Sequence, residues 1–259
     1  IADNINNAPS SGNLAADSYN IRVETNDGSG GTFEETFTID VNDDVAPHAP
    51  ATPDLVAGSD SGADSTDDLT SVTDPTFRVD LTGTNAVDGD TVELLLDGNP
   101  FGTPVTVTLD GADITADQVD IQIPDGALGT DGTKNISARI TDQAANTSAA
   151  STPLAVILDT NAPTLDPANS TPADDDIGVA LDADIVLDFA EPIALGSAGT
   201  ITLTDITDAS DNQTFDVATS TALSVAGDKL TIDPASDLEA GTTYSVQIGS
   251  GAVVDSAGN

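Results

Sequence analysis

Acidic side chains cluster where apolar strands end, in two similar stretches of the sequence. The stretches FTIDVNDDVAP (37–47) and LAVILDTNAP (154–163) share one order: an apolar strand, then Asp and Asn, then Ala-Pro. Carboxylate and amide oxygens that lie close together are the ligands preferred by hard divalent cations such as calcium. The pattern therefore predicts cation sites at the junctions between successive structural units.

The composition limits which cation these acids could bind. The chain of 259 residues has 45 acids against 5 bases, a formal net charge of −40, one His and no Cys, Met or Trp. Zinc is a poor fit without Cys and with a single His, and magnesium demands tighter octahedral geometry than a junction between two domains offers. Calcium is therefore the predicted cofactor.

The same composition excludes several classes of function. A charge this negative repels nucleic acid and anionic lipid, and no apolar run approaches the roughly 18 residues of a membrane span. The sequence has no nucleophile-elbow or phosphate-loop motif and no His placed with Ser and Asp. Paired carboxylates alone are weak evidence for glycoside hydrolysis in so acidic a chain. We predict no enzyme activity, no nucleic-acid partner and no membrane insertion.

The elements that must position these acids are β-strands. Short segments alternate between apolar and polar residues and are separated by Gly, Asp, Asn and Pro, which is typical of antiparallel sandwiches. An all-β fold of Greek-key sandwiches in tandem is predicted, without an amphipathic helix. The predicted strands are 19–25, 33–41, 76–83, 91–98, 103–111, 118–124, 134–142, 183–189, 199–206, 228–234 and 242–249.

Repetition of strands and turns predicts three domains. The turns TNDGSGG (25–31), TDQAANTS (141–148) and VDSAGN (254–259) each follow a strand, and they place the boundaries near Pro47 and Asn161. The predicted domains are 1–47, 48–160 and 161–259. The first has only two strands, too few to close a core, so we expect it to be the C-terminal half of a cadherin-like sandwich. The other half would be missing, supplied by another chain, or formed by residues outside this numbering.

Three stretches carry a resemblance to known families. DVNDDVAP (40–47) resembles the cadherin linker, with Asp44 where Asn is usual and Val45 as an extra residue. Residues 53–163 resemble the bacterial Ig-like repeats of very large adhesins, and PANSTPADDDIGVALDADIVLDFAEPI (167–193) resembles the Ig-like repeats of S-layer proteins. This similarity implies an RTX-type bacterial surface adhesin whose domain strings require calcium for stiffness. The RTX nonapeptide itself is not in this segment.

The geometry of a seven-stranded sandwich assigns the acids to junctions. The hairpin before the last strand and the loop between strands two and three both face the preceding domain. The first junction then combines linker acids with acids from these two loops: Asp40, Asn42, Asp43, Asp44, Asp88, Asp90 and Asp142. The second combines Asp159, Asn161, Glu191 and Asp255. Asp27 would face a junction upstream.

Two further acidic clusters lie outside the junctions. The cluster at 59–68 falls between the first and second strands of the middle domain, where Asp60 and Asp67, with Asp64 and Asp68, could bind another ion. The triplet at 174–176 occupies the equivalent place in the last domain. Neither matches the EF-hand loop, and a mobile, solvated acidic loop is the alternative.

These observations predict a calcium-rigidified extender segment of a large extracellular adhesin at the bacterial cell surface, serving cell attachment and biofilm formation. Its partners would be calcium ions and the neighbouring domains of the same long chain. One alternative is a calcium-dependent module that binds surface glycans or peptides. A second alternative is a scaffold component of an S-layer or matrix.

Overall fold

The computed structural model describes residues 17–26, 28–41, 43–207 and 212–259. These residues form strands and one short helix, α1, Gly111–Ala116. The strands up to the middle of the chain are β1 Asp17–Asn26, β2 Thr32–Val41, β3 Asp54–Leu55, β4 Leu69–Thr70, β5 Thr76–Asp80, β6 Thr91–Leu96, β7 Asn99–Thr108, β8 Gln118–Gln122, β9 Gly132–Thr141 and β10 Leu154–Leu158. Those that follow are β11 Ile185–Asp188, β12 Ala194–Leu195, β13 Thr200–Asp205, β14 Gln213–Asp216, β15 Leu223–Ala226, β16 Lys229–Ile232, β17 Tyr244–Ile248 and β18 Val253–Val254.

The all-β prediction is confirmed, and the cause is visible in individual strands. In β5 the buried positions are Phe77 and Val79, and the residues between them are more exposed. Because successive side chains of a strand point to opposite faces, this alternation places every second residue in the core.

The sequence did not predict the short helix α1, which is not amphipathic. It buries none of its residues, so the sequence carries no apolar period that would mark it. Local hydrogen bonds form it instead: the Asp110 carboxylate accepts from Ala112 and Asp113, and the Asp113 carboxylate accepts from the Asp110 backbone. This reciprocal capping box starts the helix, and Asp117 ends it in the left-handed conformation with φ of 53°.

The chain divides into two compact units. Unit 1 comprises residues 1–56, 74–129 and 133–156, and unit 2 comprises residues 57–73, 130–132 and 157–259.

Unit 1 contains a hairpin and the strands of a sandwich. β1 and β2 pair antiparallel, from Asp17 opposite Val41 to Asn26 opposite Thr32. One sheet has the order β3-β5-β8, and the other contains β10-β9-β6-β7. Their inner faces bury large apolar side chains that are at most 2% exposed, among them Phe77, Leu94, Ile121, Ile136 and Ile140.

Unit 2 is built from short sheets around its own core. The strand orders are β11-β16-β15, β14-β13-β17 and β12-β18, and β4 pairs in parallel with the end of β10, Ile157 opposite Leu69. The core includes Leu187, Ile201, Leu203, Leu230 and Ile232. Among the described residues, no helix is long and apolar enough to span a membrane.

Candidate metal centre

Three carboxylates of unit 2 lie together at the ends of strands. Asp159, Glu191 and Asp255 each offer an oxygen, and these oxygens all lie within 4.8 Å of one another. Asp159 directly follows β10, Glu191 lies shortly after β11, and Asp255 directly follows β18. Asp255 is buried and the other two are half-buried. The structure thus brings together three acids that are far apart in sequence, and we call this group the Asp255 cluster.

The turn after Asp255 fixes the orientation of its carboxylate. The backbone N–H of Asn259 donates to Asp255 Oδ1 at 2.9 Å, and Asn259 Nδ2 donates to Asp255 Oδ2 at 3.0 Å. The same Nδ2 donates to the backbone oxygen of Asp159 at 2.9 Å. A carboxylate has about four acceptor positions, so each oxygen retains one for a cation. Asp255 is therefore held in place without losing its capacity to bind a metal.

Asp159 is fixed by its backbone and by a local turn. Its N–H donates to the carbonyl of Thr70 at 2.9 Å, which continues the pairing of β4 with β10. Its Oδ1 accepts from the backbone N–H of Asn161 at 3.1 Å. The side chain therefore starts from an anchored strand end.

Among the described residues, no ion pair joins a base to a carboxylate of the Asp255 cluster. The ion pairs among the described residues are Arg22–Glu34, Arg78–Asp120, Arg139–Glu93 and Lys229–Asp188. Two like charges about 4 Å apart repel by about 1 kcal/mol even at the dielectric constant of water, and by more when partly buried. Folding the chain without a cation therefore works against this repulsion.

The donor set and its spacing fit calcium. Calcium binds six to eight oxygens at about 2.3–2.6 Å, so ligands on opposite sides of the ion lie up to about 5 Å apart. Three carboxylates whose oxygens lie within 4.8 Å of one another meet that requirement. The carboxylate oxygens would be supplied by Asp159, Glu191 and Asp255.

Asn161, also predicted as a ligand of this junction, makes a different contact. Its Nδ2 donates to Asp131 Oδ2, and the hydroxyl of the neighbouring Thr160 donates to Asp131 Oδ1 at 2.9 Å. Nothing in the sequence distinguishes Asp131 from other acids, because its Asp-Gly pair is one of several that mark turns. Asp131 acts as an acceptor that holds the 160–161 segment.

Unit 1 repeats the hydrogen bonds of the Asp255 turn. Asn146 donates its backbone N–H to Asp142 Oδ1 at 2.8 Å and its Nδ2 to Asp142 Oδ2 at 2.9 Å. The same Nδ2 donates to the backbone oxygen of Asp43 at 3.1 Å. Asp43 Oδ1 in turn accepts from Val45 N–H at 3.0 Å, as Asp159 does from Asn161. Asp43 is thus the equivalent of Asp159, and Val45 is not an insertion relative to the second linker.

The acids predicted for the first junction do not form a comparable group within the described residues. Asp142 is buried, Asp43 is half-buried, and Asp44 and Asp88 are exposed. Asp90 is 1% exposed, and its Oδ2 accepts from the backbone N–H of Val87 at 3.0 Å. The cation set predicted there stays a prediction.

Three predicted ligands cannot be placed by their side chains. Asp27 and Asn42 lie outside the described residues. Asp40 belongs to β2 by its backbone, and its side chain is not among those described.

The acidic segment 57–73 belongs to unit 2. Asp60 is 5% exposed, whereas Asp67 is exposed and accepts from the Leu69 backbone N–H through Oδ1 at 3.1 Å. In the triplet at 174–176 all three side chains are exposed, and none belongs to a three-acid group of the described residues.

Comparison with known proteins identifies the two larger regions. Two different family models, each described as a bacterial Ig-like domain, match residues 47–160 and residues 159–259. No curated protein matches the sequence. Both matches lie after the β1–β2 hairpin, so the cadherin-like interpretation of residues 1–47 stays a prediction.

Several solved structures are similar to the chain at low identity. A Ca²⁺-stabilised adhesin with which an Antarctic bacterium binds ice is 17% identical, with 90% of this chain and 55% of that chain covered and a TM-score of 0.36. A 1.5-MDa bacterial ice-binding adhesin is also 17% identical, with 91% and 72% covered and a TM-score of 0.36. A tetra-tandem repeat from the extending region of a large adhesion protein is 13% identical, with 93% and 55% covered and a TM-score of 0.32. The chain spans about half the length of the first of these structures, and at such TM-scores none of them carries a functional argument.

Proposed function

Because residues 47–160 and 159–259 each match a bacterial Ig-like domain, we propose that this chain is an extender segment of a large bacterial surface adhesin, stiffened by calcium. In this proposal the segment is extracellular and catalyses no reaction. Its partners are calcium ions and the neighbouring domains of the same long chain, and its role is to hold a binding region away from the cell during attachment and biofilm formation.

The observation that carries the proposal is the Asp255 cluster. Asp159 lies where the two Ig-like matches overlap, whereas Glu191 and Asp255 come from loops of the second match. A cation bound by all three would join the linking segment to the loops of the domain that follows it. The chain's own residues prepare this arrangement, since Asn259 ties the Asp255 turn to the backbone of Asp159 before any ion binds.

Calcium supplies positive charge that converts repulsion among the three carboxylates into attraction. When they are ionised and no ion is bound, the acids favour any motion that separates the linking segment from the loops. With an ion bound, the same motion would strip ligands from it. The stiffness of the linking segment would therefore increase with the calcium concentration, as expected of an extracellular extender.

The test compares small-angle X-ray scattering and thermal melting of the 259-residue chain in calcium and in chelator. We expect calcium to increase the maximum dimension and raise the melting temperature. Asp255→Asn should lose most of both responses, whereas Asp237→Asn, which removes one exposed acid of the same unit, should keep them. Identical calcium responses for Asp255→Asn and the wild type would overturn the proposal.

A further inference from the structure

The buried carboxylate of Asp60 is not explained by the Asp255 cluster. Asp60 is 5% exposed, and its Oδ1 is inaccessible to solvent and has no hydrogen-bond partner. Its Oδ2 accepts a long hydrogen bond from the backbone N–H of Asp68 at 3.3 Å, and the side chain of Asp67 lies within hydrogen-bonding reach of the Asp60 carboxyl group. An ionised carboxylate in this position lacks the partners that normally offset its loss of hydration.

No base of the chain lies beside Asp60 to neutralise it. The five bases are engaged elsewhere: Arg22 with Glu34, Arg78 with Asp120, Arg139 with Glu93, Lys229 with Asp188, and Lys134 near Asp97. The closest charges are acidic instead. Burial raises the pKa of Asp60, and the carboxylates of Asp67 and Asp68 raise it further. The chain itself therefore supplies no positive charge to balance an ionised Asp60 carboxylate.

The loop around Asp60 is tied together by its own hydrogen bonds. The Thr70 hydroxyl donates to the Ser59 carbonyl at 2.6 Å, and the Ser71 backbone N–H donates to Ser61 Oγ at 2.8 Å. These bonds fix the residues on both sides of Asp60 against the strand β4. The position of the Asp60 carboxylate is thus set by the fold and not by a flexible loop.

We propose that Asp60 and Asp67 bind a second divalent cation of the calcium class, separate from the ion of the Asp255 cluster. The unpartnered Oδ1 of Asp60 supplies the inner ligand, and Asp67, which is exposed, supplies the outer carboxylate through which the ion enters. Hard oxygen donors and partial access to water suit calcium, which completes its shell with water.

The second ion would also stabilise the surroundings of the first. Ser61 Oγ donates to the carbonyl of Ala257, and Gly62 packs directly against the carbonyl of Ser256, both in the turn between Asp255 and Asn259. A cation at Asp60 would stiffen the segment on which this turn rests. The proposal nevertheless stands on the Asp60 carboxylate and does not require the adhesin function.

The experiment counts calcium ions bound to the 259-residue chain at neutral pH, by titration against a chromophoric chelator. Five variants are compared with the wild type: Asp60→Asn, Asp67→Asn, Asp255→Asn, the double variant that combines Asp60→Asn with Asp255→Asn and, as a matched control in the same loop, Asp64→Asn. Asp64 is exposed, and its Oδ1 already accepts from the backbone and hydroxyl of Thr66.

We expect Asp60→Asn to lose one equivalent that differs from the one lost by Asp255→Asn, so that the double variant loses two. Asp67→Asn should lower the calcium affinity of the same site by roughly tenfold, because one charged ligand is removed. Asp64→Asn should bind as the wild type does. If Asp60→Asn does not fold, the calcium affinity of Asp67→Asn tests the proposal, because Asp67 is exposed and its substitution should not disturb folding.

An unchanged stoichiometry and affinity in both Asp60→Asn and Asp67→Asn would overturn the proposal. That result would leave the Asp255 equivalent intact, so it is distinguishable from failure of the proposed function. Conversely, Asp60→Asn could bind one calcium fewer than the wild type while Asp255→Asn binds the same number. That result would support the Asp60 site and contradict an ion at the Asp255 cluster.

Discussion

Asn146 and Asn259 make the same three hydrogen bonds in the two Ig-like regions. Each donates its backbone N–H and its side-chain amide to the Asp four residues before it, and the same amide to a backbone carbonyl of the preceding linker. The two asparagines differ in what surrounds them, because a three-carboxylate cluster accompanies only Asn259 among the described residues. The shared turn therefore ties an Asp to the preceding linker in both regions, and at Asn259 that Asp belongs to the three-carboxylate cluster.

Replacing either asparagine by Ala should destabilise the chain. Asn146→Ala and Asn259→Ala each remove two side-chain hydrogen bonds to a buried carboxylate and a linker carbonyl, and we expect a loss of roughly 1–3 kcal/mol in the free energy of unfolding. Asn259→Ala should also reduce the calcium-induced rise in melting temperature, measured by calorimetry, because it loosens the turn that positions Asp255. A calcium response of Asn259→Ala equal to that of the wild type would contradict the role of this turn in cation binding.

Glu191→Gln should change stability in opposite directions with and without calcium. In chelator it removes the repulsion of Glu191 with Asp159 and Asp255, so we expect a gain of about 1–2 kcal/mol. In calcium it removes a charged ligand, so the protein loses part of the stability that calcium binding adds to the folded state. For the wild type that stabilisation is about 2.7 kcal/mol when the calcium concentration exceeds the Kd about 100-fold.

The measurement for Glu191→Gln is chemical unfolding in each condition, with Asp237→Asn as the control for removal of one negative charge. The control should shift both curves slightly and in the same direction, since exposed charges contribute little. If Glu191→Gln changed the free energy of unfolding in the same direction in calcium and in chelator, the result would contradict the interpretation of the cluster as a cation site.

The strands could be predicted from the sequence because burial dictates their pattern. In β5 the alternation of Phe77 and Val79 with more exposed residues is visible without a structure. Two-residue strands such as β3 and β12 are too short to show a period. Helix α1 was missed because Asp110 and Asp113 form it by capping alone and none of its residues is buried.

The candidate site was predictable to the extent that strand topology decides it. Strand order predicts that Asp159, Glu191 and Asp255 face one another, and the structure brings them together. It could not predict the contact of Asn161 with Asp131, because that contact depends on the course of a loop. Nor could it predict that the Asp60 carboxylate is buried, since an exposed acidic loop has the same composition.

Gly62→Ala should destabilise the chain because no space exists for a side chain. A Cβ on Gly62 would overlap the carbonyl oxygen of Ser256, and the residue has a φ of +90°, which disfavours L side chains. Since a backbone atom cannot yield as a flexible side chain can, we expect a loss of about 1–3 kcal/mol. Thermal and denaturant unfolding would measure it.

The matched control is Gly58→Ala in the same segment. A Cβ there meets nothing within 4 Å, and its φ lies outside the left-handed region. This substitution should be neutral or stabilise by about 0.4–1 kcal/mol, because it restricts the unfolded chain. Equal stability of the two variants would show that the 57–73 segment does not rest on the 255–259 turn.

The cap of helix α1 should give the chain a stability that depends on pH. Hydrogen bonds from the backbone N–H groups of Asp113 and Ala112 lower the pKa of Asp110 below its ordinary value. A carboxylate with a lowered pKa in the folded state stabilises above its unfolded pKa, and this contribution is lost as the pH falls through the folded pKa. Asp110→Asn keeps an acceptor at the cap but does not titrate.

We therefore expect the wild type to melt at a higher temperature than Asp110→Asn at neutral pH, by a constant margin down to about pH 4, the ordinary range of an Asp carboxyl. Below that range the margin should shrink, because Asp110 becomes protonated in the folded state. Asp110→Ala removes the acceptor itself, so its deficit relative to Asp110→Asn should persist at every pH. A margin between wild type and Asp110→Asn that stays constant to about pH 2 would show that the carboxylate charge does not stabilise this cap.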